Sequence, residues 1–335
     1  MYVVTGGAGF IGSALVWRLN QAGIDDIVIV DDLGFEEKWK NIRQLRYADY
    51  VHRDIFLRML EADALPWPLT AVAHMGACSS TTERDAEFLL RNNFKYSQTL
   101  CRFALERGAR FIHASSAATY GDGSQGFSDS PDTLHSLIPL NMYAYSKHLF
   151  DLWLVREGLL GQAVSLKFFN VYGPNEYHKG SMRSVACKAW HEISASGRLR
   201  LFRSSHPDYP DGGQVRDFVY VKDCVEILLW LLSRPSGGGI YNVGTGVARS
   251  WNDLAHAVFL AMGRETRIDY VEMPEELRSA YQNFTQADMG WLERLDCPVR
   301  IHSLEEGVRD YVCRYLAAGN PYLASRRPVG RQGSN

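Results

Sequence analysis

Short apolar, β-branched runs recur along the first 170 residues, each bounded by polar or turn residues: Tyr2–Thr5, Asp26–Asp31, Ala71–His74, Arg110–Ser115 and Ala163–Phe169. Runs this short, with no polar alternation, predict strands buried on both faces of a sheet. Between them, Ser13–Ala22, Ala86–Glu106 and Tyr143–Gly158 repeat their apolar positions at helical spacing. Strands alternating with helices predict right-handed βαβ units. The expected fold is therefore α/β, a Rossmann-type doubly wound parallel sheet with ligand-binding loops beyond the strand carboxyl ends.

After Gly173-Pro174 the rhythm loosens. A helix is expected over Val185–Ser196, then a turn-rich loop His206–Gly213, a strand Arg216–Val221, a helix Val225–Leu232 and a short strand Ile240–Val243. This divides the chain into a dinucleotide-binding Rossmann domain over 1–171 and a smaller, mainly substrate-binding α/β domain over 172–320. Residues 216–247 are expected to pack back on the first domain. The segment from Pro321 to Asn335 is polar and carries Arg326, Arg327 and Arg331 with little to bury, so it reads as a disordered tail.

Charge and composition narrow the function. Lys and Arg number 36 against 38 Asp and Glu, a formal charge of −2, which gives no global field for nucleic acid or a membrane surface. Any anionic ligand needs a local site. The six cysteines are scattered without a C-x-x-C pair, so neither a zinc site nor a disulfide framework is expected, and metal ligands are none. No apolar run approaches the ~20 residues of a spanning helix, and no basic leader region precedes the first strand. A reduced, soluble, cytoplasmic protein follows as the expectation.

The first candidate site is Thr5-Gly-Gly-Ala-Gly-Phe-Ile-Gly12, directly after the first strand and opening a helix. Gly6, Gly9 and Gly12 make a turn whose backbone N–H groups and helix dipole suit a pyrophosphate. Asp31 ends the second strand 19 positions after Gly12, where an acidic side chain meets a ribose. An aspartate there favours NAD, whereas the nearby Lys38 and Arg53 have the charge to hold the 2′-phosphate of NADP. Either cofactor remains open on those residues.

The second is Tyr143-Ala-Tyr-Ser-Lys147, a Y-x-x-x-K pattern, and Tyr143 is the only tyrosine with a lysine four residues on. Positions i and i+4 share a helix face, so the Lys147 ammonium is expected to favour a Tyr143 phenolate. Bringing a phenol from about 10 to about 7 needs about 4 kcal/mol. Ser116, at the end of the fourth strand, is placed to share a substrate oxygen with Tyr143.

Gly6–Gly12, Ser115-Ser-Ala-Ala-Thr-Tyr-Gly121 and Tyr143-x-x-x-Lys147 resemble the extended short-chain dehydrogenase/reductase superfamily. Gly76-Ala-Cys-Ser-Ser-Thr-Thr-Glu83, Phe169-Asn-Val-Tyr-Gly-Pro174, His178-Lys-Gly-Ser-Met182, Arg216-Asp-Phe-Val-Tyr-Val221 and Phe284-Thr-Gln-Ala-Asp288 narrow the resemblance to the ADP-L-glycero-D-manno-heptose 6-epimerase family, over about residues 1 to 316. The resemblance implies an NADP-bound isomerase that inverts C6 of an ADP-linked heptose for the lipopolysaccharide inner core, through a transient ketone. It implies Tyr143 and Lys179 as two bases, Lys147 as phenol-tuning and ribose-binding, and Ser116 as a hydrogen-bonding partner of the substrate oxygen. It implies cofactor contacts at Phe10, Ile11, Asp31, Asp32, Lys38, Arg53, Met75, Gly76, Ala77, Cys78, Ser79, Asn92, Lys147, Val171 and Lys179, beside the glycines. Substrate contacts are implied at Asn170, Ser181, Lys188, Phe202, Arg203, Ser204, Ser205, Arg216 and Tyr281. It also implies a homo-oligomer, a pentamer.

Some positions depart from that family's pattern. Met75 stands where an acidic or amide residue is usual, Arg53 replaces a lysine, Lys188 replaces a histidine, and His206–Gly213 reads as an insertion beside the nucleotide pocket. Rival readings stay within reach: a UDP-hexose 4-epimerase, or a non-catalytic dinucleotide sensor on the same fold. A 4,6-dehydratase is disfavoured, because Ala117 and Ala118 follow Ser116 where an acid would be required to expel a hydroxyl.

Overall fold

The structure is a computed structural model that describes residues 1–35, 37–234, 236–275 and 282–325. Its centre is a seven-stranded sheet in the order β10-β6-β5-β4-β1-β2-β3. The strands are β1 (Tyr2–Thr5), β2 (Ile27–Asp31), β3 (Asp49–His52), β4 (Ala71–His74), β5 (Arg110–Ser116), β6 (Ala163–Phe168) and β10 (Gly239–Val243). All neighbouring pairs run parallel. β1, β2, β4 and β6 are buried almost throughout, as their unbroken apolar runs require. β3 was not legible: as an edge strand it buries only Val51 fully.

Connectivity reverses at β1, which has β2 on one side and β4 on the other. A crevice therefore opens at the carboxyl ends of these strands. Helix α1 (Phe10–Gln21) starts over it directly after the glycine turn. Gly6 has φ +63°, and a Cβ there would lie 2.6 Å from the backbone of Gly76, in the loop after β4. A Cβ on Gly12 would lie 2.1 Å from the Gly6 carbonyl oxygen. No side chain fits either place.

The predicted helix over 86–106 is interrupted. Ala86–Leu89 is helical (α3), Leu90–Lys95 widens into a π turn, and Tyr96–Glu106 continues as α4, with α2 (Arg53–Glu61) earlier in the chain. The wide turn presents Asn93, whose amide accepts from Cys78 N–H (2.9 Å) and donates to the Cys78 carbonyl (3.0 Å) and to Ser146 Oγ (3.0 Å). It thus clamps the loop after β4 to α5 (Met142–Arg156). Asn141 caps α5, accepting from Ala144 N–H.

Beyond β6 come β7 (Asn170–Tyr172), α6 (Val185–Ser196), β8 (Leu199–Phe202), β9 (Val215–Tyr220) and α7 (Val221–Ser233). After β10, β11 (Ala248–Ser250), α8 (Trp251–Ala261) and β12 (Ile268–Val271) follow. β11, β9 and β7 form one small sheet and β12 with β8 another. Helix α7 packs on α1, where Arg18 pairs with Glu226 at 2.6 Å, and β10 extends the central sheet beside β6.

The expected disordered tail is corrected at its start. Leu323 is buried and its N–H donates to Asn175 Oδ1 (2.8 Å), while Ser325 Oγ donates to Asn20 Oδ1 (2.8 Å). The buried Leu323 and hydrogen bonds to Asn175, Asn20 and the Gln44 carbonyl hold 321–325 in place, a long-range fit that local polarity hides. The remainder of that tail, 326–335, lies outside the described residues. Among the described residues no helix is long and apolar enough to cross a membrane.

Candidate active site

The crevice is a cavity of about 1090 Å³. Every residue that the sequence assigned to the cofactor faces it: the glycine turn with Phe10 and Ile11, Asp31, Asp32, Lys38 and Arg53, the stretch Met75–Ser79, and Asn92, Lys147, Val171 and Lys179. Ser116, Tyr143 and Asn170 face it too. These residues come from the ends of β1, β2, β4, β5 and β7, from α1, α2, α5 and the π turn Leu90–Lys95, and from the turns Glu37–Asn41 and Tyr177–Met182.

Asp31 is tied into the glycine turn. Its Oδ2 accepts from Ala8 N–H (2.8 Å), and its Oδ1 accepts from Asp32 N–H (2.8 Å) and the Lys38 ammonium (3.0 Å). Arg53 donates through Nη1 to Asn92 Oδ1 (2.6 Å), while its buried Nε has no hydrogen-bond partner. A glycine cradle that a Cβ would fill fits the phosphates of a dinucleotide, and the Arg53 guanidinium, its Nε 3.5 Å from Asp54 Oδ1, lines the same cavity.

At the other end of the cavity, burial pushes the Tyr143 phenol above its ordinary value, and the Ser116 hydroxyl draws it back. The sequence led us to expect Lys147 to lower it. The Lys147 ammonium instead donates to the Ala114 carbonyl (2.7 Å) and lies 3.5 Å from His113 Nε2. Burial lowers Lys147 itself to about 8, with Asp151 opposing that fall. The site thus pairs a neutral phenol with a weakened ammonium.

Lys179 sits on the turn Tyr177–Met182, its ammonium 5.4 Å over the Phe10 ring. Burial lowers its pKa, Glu176 raises it and Lys188 lowers it further. Lys179 lines the cavity and is partly exposed. Its neighbour His178, which the sequence reading passed over, also lines the cavity, and its Nδ1 accepts from Asn41 Nδ2 (3.1 Å). Burial, with Lys38 and Lys179 close by, lowers His178 to about 4.

Most expected substrate contacts stand outside the cavity wall. Ser181 and Lys188 are exposed, and Phe202 to Ser205 follow β8 toward the loop that reaches Gly213. Arg203 pairs with Asp211 (3.1 Å) and Glu272 (3.5 Å), and Ser204 N–H donates to Asp211 Oδ1 (2.9 Å), so that loop folds against this wall. Arg216 is buried, bonded to the carbonyls of Val215 (2.8 Å) and Gln282, with its guanidinium 5.5 Å over Trp251, which does line the cavity. Tyr281 lies outside the described residues. Among the described residues no group of His, Cys, Asp or Glu is arranged to hold a metal ion.

A glycine turn at the switch point of such a sheet, facing a tyrosine–lysine helix, is the scaffold of the short-chain dehydrogenases. Consistent with it, the sequence profile of the NAD dependent epimerase/dehydratase family matches residues 2–244. The chain is 64% identical over 323 residues to the ADP-L-glycero-D-manno-heptose-6-epimerase of Nitratidesulfovibrio vulgaris strain Hildenborough, covering 96% of this chain and all of that one. It is 47% identical over 332 residues to the enzyme of the same name from Fusobacterium nucleatum, covering 96% of this chain and all of that one. A crystal structure of the Helicobacter pylori ADP-L-glycero-D-manno-heptose-6-epimerase superposes with a TM-score of 0.75 at 26% identity, over 93% of this chain and 95% of that one. The Thermus thermophilus UDP-glucose 4-epimerase, solved in complex with NAD, superposes with a TM-score of 0.71 at 25% identity, over 93% and 97%. The chain belongs to this nicotinamide-dependent family, among its ADP-L-glycero-D-manno-heptose 6-epimerases.

Proposed function

We propose that the protein interconverts ADP-D-glycero-D-manno-heptose and ADP-L-glycero-D-manno-heptose by oxidising and re-reducing C6 of the sugar, as a cytoplasmic supplier of heptose for the lipopolysaccharide inner core. The observation that carries this reading is that Tyr143, Lys147 and a second lysine, Lys179, face one cavity with the glycine turn.

NADP is the cofactor we assign. The glycine turn would hold its pyrophosphate, with Lys38 and Arg53 at the adenosine 2′-phosphate and Lys147 at the nicotinamide ribose. When bound, it supplies a reversible hydride acceptor. Burial holds the Tyr143 phenol high, and a positive charge bound beside it would bring it down toward the range of a working base. Tyr143 takes the proton of the C6 hydroxyl as C6 loses hydride and becomes a ketone, with Ser116 donating to the developing oxyanion. After the ketone turns, Lys179 supplies the proton when hydride returns to the other face. Its lowered pKa suits an amine that must both give and take a proton. The assembly we assign is a homopentamer.

The test is incubation of the purified protein with ADP-D-glycero-D-manno-heptose and, separately, UDP-galactose, with separation of epimers. Inversion of the heptose alone is expected; turnover of the galactoside alone overturns the assignment. Lys179→Met should still oxidise the sugar, seen as transient reduced-nicotinamide absorbance, yet return it without inversion.

A further inference from the structure

Beneath the cavity lies a buried polar array that the reaction above does not use. β5 and β6 pair with His113 opposite Ser165 and Ser115 opposite Lys167. Alternate residues share one face of a strand, so these four side chains stand together. Helix α5 meets them with Lys147 and Asp151, four residues apart and hence on one face. Asp151 and Lys167 are fully buried, 3.5 Å apart. Ser115 Oγ donates to Asp151 Oδ2 (2.8 Å) and Ser165 Oγ donates to Asp151 Oδ1 (2.6 Å).

That last bond fixes a proton. A hydroxyl has one hydrogen, and Ser165 gives its own to Asp151. Towards His113 Nδ1, 3.1 Å away, Ser165 can therefore only accept. The imidazole proton belongs on Nδ1, and Nε2 turns its lone pair to the Lys147 ammonium at 3.5 Å. The ring is buried and neutral, because burial and the charge of Lys147 both oppose its protonation. An ammonium has three N–H groups. One goes to the Ala114 carbonyl, one is aimed at His113, and the third is left for the cavity.

We propose that His113, locked in its Nδ1–H tautomer by Ser165 and Asp151, is a positioning residue that holds Lys147 charged and leaves one N–H of its ammonium for the cofactor ribose and Tyr143. The proposal rests on the role given to Lys147 above. The titratable groups around that ammonium are Asp151 and Tyr143 of α5, His113 of β5, His74 of β4 and Cys78 of the loop after β4, with Lys167 of β6 behind Asp151. Removing the Nε2 acceptor strands one ammonium N–H in a dry site, which favours the neutral amine.

The experiment is kcat and KM for heptose inversion by the cofactor-loaded enzyme from pH 6 to pH 10, in four variants. His113→Leu should lower kcat about tenfold with KM little changed, and move the alkaline limb of kcat about one pH unit toward neutrality. His113→Gln keeps an amide oxygen for Lys147 and an N–H for Ser165, and should restore both. Ser165→Ala frees the tautomer and should move the limb in the same direction by less. An unshifted limb in His113→Leu, or a His113→Gln as impaired as His113→Leu, overturns the proposal. Should His113→Leu not fold, Ser165→Ala decides alone, and an unshifted limb there is likewise fatal. Tyr143→Phe separates the two levels: if it stays active the site assignment itself fails, whereas an inactive Tyr143→Phe beside an unaltered Ser165→Ala removes only His113.

Discussion

The Lys38 ammonium lies 3.0 Å from Asp31 Oδ1, so the acidic residue that ends β2 is paired with a cation of this chain. The second carboxylate oxygen is occupied by Ala8 N–H. An aspartate in this state presents little net charge to a 2′-phosphate, and the lysine can swing to it. Lys38→Ala should weaken NADP binding about tenfold or more, the worth of a charge-assisted hydrogen bond plus the repulsion of a bared carboxylate, and leave NAD nearly unchanged. Calorimetric titration of both nucleotides checks this. Equal losses for the two would remove Lys38 from cofactor choice.

Tyr143→Phe deletes one hydroxyl on a helix whose capping and packing do not depend on it. Cofactor retention should be normal, while inversion falls about 10²–10⁴-fold. The comparison requires stopped incubations with the nucleotide released and quantified from each protein. A rate within threefold or so of the parent would place proton transfer elsewhere.

What could be read in advance follows from how local each signal is. The glycine turn, Asp31 and the Tyr143–Lys147 spacing depend on a few neighbouring residues, and each reached its place in the structure. Asn93 was hidden, because nothing in the run Ala86–Glu106 distinguishes a π turn from a regular helix. His113, Ser165 and Asp151 were hidden for another reason: their meeting depends on the register of β5 against β6, a long-range pairing. The same applies to Leu323, whose buried position depends on a bond to Asn175, far away in sequence. Lys179 was singled out through a family string, not through periodicity, since a lone lysine in a loop otherwise reads as a solvated charge.

Lys147 should set an upper pH limit. In the folded protein its pKa falls to about 8, chiefly through burial, so its ammonium is lost well below the usual lysine range. Activity that needs the charged form should decline as pH rises through about 8, and a bound oxidised nicotinamide, itself positive, moves the decline lower rather than higher. The kcat/KM profile of the parent enzyme is the measurement. Activity flat to pH 10 is incompatible with a catalytic ammonium at this position.

Glu176 fastens the turn that carries Lys179. Its carboxylate is buried and accepts from Gly173 N–H (3.3 Å), from Ser184 N–H and Oγ (2.7 Å for the hydroxyl), and from the Tyr311 hydroxyl (3.0 Å). Gly173 and Ser184 flank the turn on either side, and Tyr311 belongs to the helix Leu304–Tyr311, so one side chain closes the loop and anchors it to the fold. Glu176→Ala would leave buried N–H groups without acceptors, at a cost of about 1–3 kcal/mol for each. Urea unfolding should show that loss. The glycine turn and Lys38 do not touch Glu176, so the part of the cofactor affinity that they supply should persist while kcat falls, because Lys179 no longer holds its place. Full stability with an unchanged kcat would mean that the turn keeps its shape by other contacts, and that Lys179 needs no such anchor.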